Sequence, residues 1–126
     1  MKTITEKATL RIANTRALCN QLPEVFTKSQ YEELRRLQVH NLREQWMKET
    51  GMRYKTEGYF AKEEGAFRLD NLKEEKLLTL VKVEKFAKTV RVWKGGSKVE
   101  QEIKVERHYY RLSEEIEDFF EKVLNF

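Results

Sequence analysis

Lys88, Arg91, Trp93, Lys94, Lys98, Lys104, Arg107, Tyr109 and Arg111 crowd fixed positive charge and aromatic rings into one stretch of the chain. Lysine and arginine neutralise phosphates, and exposed indole or phenol rings can stack on bases or ribose, so the set has the chemistry to grip a polyanion. Nucleic acid, or a protein that handles nucleic acid, is the partner this chemistry fits. A plainer reading stands beside it. Half the side chains of an antiparallel ribbon face water, where Lys and Glu are ordinary and discourage edge-to-edge aggregation. Glu84, Glu100, Glu102 and Glu106 lie among the bases and could pair with them across strands. Trp93, beside a turn, is expected to close the end of a core rather than project, and Tyr109 and Tyr110 should point to opposite sides of a strand.

The other reactive side chains give little. Glu102-Ile103-Lys104 has the E-x-K spacing of the metal site in PD-(D/E)xK nucleases, where alternate positions on a strand bring a carboxylate and a lysine together. No Pro-Asp precedes it, Asp70 is a poor substitute, and in a chain this rich in Glu and Lys the tripeptide arises by chance. His40 and His108 have no histidine or cysteine at a metal-ligand spacing. Cys19 falls on an apolar stripe, where a buried, inert thiol is expected rather than a nucleophile. There is no phosphate-cradling glycine loop and no nucleophile elbow. Catalysis, a metal and a cofactor are therefore not expected.

Charge gives the set its meaning. The 126 residues carry 25 Lys and Arg against 21 Asp and Glu, a net +4 that is too small to direct binding unless it is unevenly placed. It is uneven: residues 80–111 hold nine bases against four acids, whereas residues 113–126 hold one base against five acids. At 40% apolar and 37% charged residues, the chain is polar but too rich in Leu, Val, Phe and Tyr for disorder. Its length suits one domain, 1–126, with a modest core. One cysteine, no signal-peptide pattern and no apolar run near the ~20 residues that span a bilayer predict a cytoplasmic protein without membrane contact.

The elements that position the basic set follow from periodicity. Val90 to Val99 contains two alternating patterns meeting at Gly95-Gly96, a pair that can supply the positive φ of a tight hairpin. Leu78 to Val83 reads as the start of its first strand, against a rival helix over 71–88, and a slip in the apolar phase near Phe86 to Lys88 predicts a bulge. Upstream, Ile4, Ala8, Ile12, Thr15, Cys19 and Leu22 predict a helix over 4–22 that stops before Pro23, although Ala8, Leu10 and Ile12 also fit a strand. Ser29 and Glu32 form a capping box for a helix over 30–50 that ends at Gly51. Alternation at Met52, Tyr54 and Thr56, with a turn at Glu63-Glu64-Gly65 before Ala66 to Leu69, predicts a short hairpin. Asp70 and Asn71 should cap a brief helical turn through Glu74. Ser113 should cap a last helix with Glu114 and Glu115 in its first turn and Ile116, Phe119, Phe120, Val123 and Phe126 on its apolar face.

The expected architecture is α+β: an antiparallel sheet from residues 52–111 with a long basic β-hairpin, packed by an N-terminal helical pair and a C-terminal amphipathic helix. The expected role is a non-enzymatic binding or regulatory protein acting through the hairpin. Three rivals remain. One is a stoichiometric protein inhibitor or adaptor of the kind carried by phages and mobile elements. Another is a metal-dependent nuclease using Glu102 and Lys104, and the third is a homo-oligomer formed when the N-terminal stripe pairs with a second copy.

Overall fold

The computed structural model describes residues 6–124. Helix α1 (Glu6–Cys19) leads to a two-residue strand β1 (Phe26–Thr27) and a long helix α2 (Lys28–Thr50). Two short helices, α3 (Glu57–Glu63) and α4 (Leu69–Glu74), precede strands β2 (Leu78–Lys94) and β3 (Ser97–Leu112), and α5 (Ile116–Leu124) follows. The architecture is α+β, with one antiparallel sheet in the order β1-β3-β2.

Helices supply most of the core. Ile12, Leu18 and Cys19 of α1, Tyr31 of α2, Leu69 and Leu72 of α4, and Ile116 and Phe120 of α5 gather around Phe26, Leu77 and Tyr110 at the base of the sheet. Burying these side chains is the main force assembling the body. Residues 8–12 are helical, so the strand alternative there is overturned; Ile4 and Phe126 lie outside the described residues.

The second helix is capped two residues earlier than expected. Thr27 accepts from the Gln30 amide, and the Gln30 side chain accepts in turn from the Thr27 amide, so the box is Thr27–Gln30 rather than Ser29–Glu32. The two-residue pairing of β1 with Tyr109 and Tyr110 holds Phe26 and Thr27 extended and so fixes where the helix starts. Gly51, at φ 71°, ends it as predicted.

The hairpin expected over 52–69 does not form, and the sheet contains none of those residues. Thr56 caps α3 instead by accepting from the Tyr59 amide. The irregular segment after α3 finds its hydrogen bonds in helix side chains rather than in a neighbouring strand. Asn14 donates to the Glu64 carbonyl, Arg11 to Gly65, Arg35 to Ala66 and Tyr31 to Phe67. The Ala66 amide donates to Gln38, and the Phe67 amide to the fully buried Thr15 hydroxyl. With its backbone satisfied in this way, the segment packs inside without strand pairing. Gly65 serves close packing rather than a turn, because a Cβ there would stand 2.9 Å from a Val39 methyl.

Three smaller corrections follow. Arg68 precedes α4 without a side-chain cap, so Asp70 and Asn71 are not its caps. The Ser113 hydroxyl is buried with no hydrogen-bond partner among the described residues, while its carbonyl accepts from the Ile116 amide. Helix α5 therefore begins at Ile116, with Glu117 and Asp118 rather than Glu114 and Glu115 in its first turn. The bulge falls between Leu80 and Lys82, not at Phe86 to Lys88. The extra residue there keeps Leu78 and Leu80 on the side of Tyr110 and Leu112 while shifting the parity of the strand beyond.

Candidate nucleic-acid or partner interface

β2 is continuous through residues 78–94, so the helical alternative over 71–88 is excluded. Gly95 and Gly96 have φ 57° and 80°, the pair of positive values that a two-residue turn matched to the strand twist requires. The turn fixes the register, with Lys94 opposite Ser97, Val92 opposite Val99 and so on down to Lys82 opposite Tyr109. From Lys82 to Arg107 every residue is exposed or half-buried. The ribbon is an arm standing on the body, roughly 40 Å long at ~3.3 Å per residue.

Opposed residues share a face, and successive ones alternate. One face therefore presents Lys82 with Tyr109, Glu84 with Arg107, Phe86 with Val105, Lys88 with Ile103, Val90 with Gln101, Val92 with Val99, and Lys94 beside the turn. The other presents Val83 with His108, Lys85 with Glu106, Ala87 with Lys104, Thr89 with Glu102, Arg91 with Glu100 and Trp93 with Lys98. The register thus divides the nine sequence-predicted residues. Lys88, Lys94, Arg107, Tyr109 and Arg111 share the first face; Arg91, Trp93, Lys98 and Lys104 share the second.

This division sorts the acids between the faces. Three of the four ribbon glutamates, Glu100, Glu102 and Glu106, lie on the second face, where Arg91 opposes Glu100 and the Lys85 ammonium stands 3.9 Å from Glu106. On the first face Glu84 is the one acid between Lys82 and Lys94. It stands 3.9 Å from Arg107 and accepts from the Tyr109 hydroxyl at 3.3 Å. Among the described residues, no carboxylate lies within ion-pair distance of Lys88 or Lys94 on that face. The positive field of the arm belongs to its first face, and the mixed charges of the second largely cancel.

The first face also carries an apolar row that the charge-led sequence reading missed. Phe86, Val90, Val92, Val99, Ile103 and Val105 run along it, all half-buried except Val99, which is exposed. A signal for it was present: a two-residue Gly-Gly turn pairs residues whose numbers sum to that of Lys94 and Ser97, and this assigns every face. Trp93 is 69% exposed, contrary to the expected core position, because no element of the body reaches the tip of the arm. The tyrosines divide as expected, with Tyr110 buried at the arm's base and Tyr109 half-buried on the first face.

The remaining candidates stay apart. Asp70 lies on α4 with the Lys28 ammonium 3.4 Å away, while Glu102 sits on the arm opposite Thr89. Among the described residues, no group of three or more His, Cys, Asp or Glu converges as metal ligands would, and no helix is long and apolar enough to cross a membrane. His40 is exposed beside Glu57 and Glu44, and His108 lies 3.2 Å from Glu106. Cys19 is buried; loss of solvation, with the charge of Glu117 adding to it, pushes its thiol up to about 12. The thiol is therefore protonated at neutral pH. Thiol reagents should label it in the folded protein at least about 100-fold more slowly than in urea-unfolded chain, and equal rates would contradict this burial.

Comparison with protein-family models, curated proteins and solved structures finds no match.

Proposed function

We propose that this is a non-enzymatic binding protein that engages nucleic acid through the first face of its β-ribbon. The observation that carries the reading is the sorting of charge: Lys82, Lys88, Lys94 and Arg107 share that face with Glu84 alone, away from Glu100, Glu102 and Glu106. An extended arm with bases on one side can follow a phosphate backbone while the helical body holds its root. The phosphates would supply affinity, and the reading assigns no cofactor and no catalytic residue.

The apolar row favours a second reading, in which the same face docks on a protein as an inhibitor or adaptor. Aliphatic side chains left in water along a two-stranded arm suit a partner that covers them. Salt separates the two readings. Binding driven by about four phosphate contacts should weaken with a log–log slope near −3.6 as salt rises, whereas an aliphatic interface should respond weakly. The test is a salt-titrated binding assay against single- and double-stranded DNA and RNA. Salt-sensitive binding at micromolar levels or tighter supports the first reading. No binding near physiological salt, together with a protein-only complex, would replace it with the second.

A further inference from the structure

Resting on the nucleic-acid reading, we infer that the partner is duplex DNA, with the ribbon lying in the major groove. The first ground is that the rings of the arm are poorly placed for stacking on a single strand. Phe86 is half-buried with the Arg107 guanidinium 5.0 Å from its centroid. Tyr109 carries the Lys82 ammonium at 4.6 Å and is tied by its hydroxyl to Glu84. Trp93 alone stands open, on the opposite face and with Lys98 at 5.5 Å. A single-strand platform needs a succession of bare rings, each taking a base, and this arm does not present one.

The second ground is shape. Two antiparallel strands about 4.8 Å apart, with their side chains, match a major groove about 12 Å wide, and the right-handed twist of such a ribbon follows the groove. The bases of the first face come from both strands, Lys82, Lys88 and Lys94 from β2 and Arg107 and Arg111 from β3, so they can reach the phosphates on both groove walls. Between them runs the row of Val90, Val92, Val99 and Ile103, and thymine methyl groups on the groove floor offer apolar contact of that kind. A-form RNA offers no equivalent site, because its major groove is too deep and narrow. A second copy of this chain is a poor occupant, since facing arms would set five bases against five with one acid on each side.

The experiment measures equilibrium binding of the full chain, at about 0.1 M salt, to a DNA duplex on the order of 30 base pairs, to each separate strand and to the RNA duplex of the same sequence. A duplex whose cytosines carry glucosylated hydroxymethyl groups fills the major groove, and netropsin fills the minor groove. The expected result is binding to plain duplex DNA at least about tenfold tighter than to either strand or to the RNA duplex, lost on glucosylation and kept with netropsin. Equal or tighter binding to a single strand or to the RNA duplex would overturn the groove assignment and leave the nucleic-acid reading intact. So would competition by netropsin with indifference to glucosylation. Absence of binding to every one of these would overturn both.

Discussion

Replacing Lys82, Lys88, Lys94 and Arg107 together with Ala should weaken nucleic-acid binding by about two to three orders of magnitude at ~0.1 M salt and flatten the log–log salt slope by about 3 to 4. The size follows from counterion release: each lost phosphate contact removes about 0.9 from the slope. Arg107 contributes least of the four, because Glu84 already stands 3.9 Å from it. Lys88 and Lys94 contribute most. The arm itself should survive the change, since its register rests on the Gly95-Gly96 turn and on pairs such as Phe86 with Val105, none of which is altered. Far-ultraviolet circular dichroism of the variant checks that survival, and an unchanged affinity would remove this face from the binding surface.

Arg35→Met should destabilise the fold by about 3 kcal/mol, read as a lowered urea midpoint with little change in m. Methionine keeps much of the side-chain length but none of the donors. The Arg35 guanidinium donates to the Ala66 carbonyl at 2.8 Å and to the Ala61 carbonyl at 3.3 Å, and lies 3.8 Å from a Glu32 carboxylate that is itself mostly covered. Its loss strands two partly buried carbonyls, whose desolvation is no longer offset, and leaves the Glu32 carboxylate with the Leu69 amide as donor but without its cation. Lys28→Met is the matched control. It breaks the exposed 3.4 Å pair with Asp70 and should cost under about 0.5 kcal/mol. Equal midpoints for the two variants would show that the Arg35 hydrogen bonds do not help hold the segment after α3 in place.

That segment also marks where the sequence ceased to be legible. Local signals serve well where structure is local: Gly51 ends α2, Gly95-Gly96 turns the hairpin, and the β-branched residues within Leu78 to Val83 favour the strand that forms. The expected hairpin over 52–69 failed because alternation cannot reveal that Asn14, Thr15, Arg35 and Gln38, distant in sequence, will satisfy the same backbone groups a strand would. The Thr27 cap was missed for a related reason, since β1 pairs with residues more than eighty positions away. In the arm the hairpin is legible in the sequence and the grouping of its residues by face is not. Charge counted along the chain does not give the field, which depends on the face each residue occupies, and the exposure of Trp93 depends on how far the body extends, which no local pattern encodes.

The most direct test of the account compares two variants of equal net charge. One carries Ala at Lys82, Lys88, Lys94 and Arg107; the other carries Ala at Lys85, Arg91, Lys98 and Lys104, so each loses four positive charges, from opposite faces of the same arm. Measured side by side against the same nucleic acid at ~0.1 M salt, the first should bind at least about 30-fold more weakly than the second. Equal losses would contradict the account, because net charge alone would then govern binding and the sorting of bases and acids between the two faces would have no part in it.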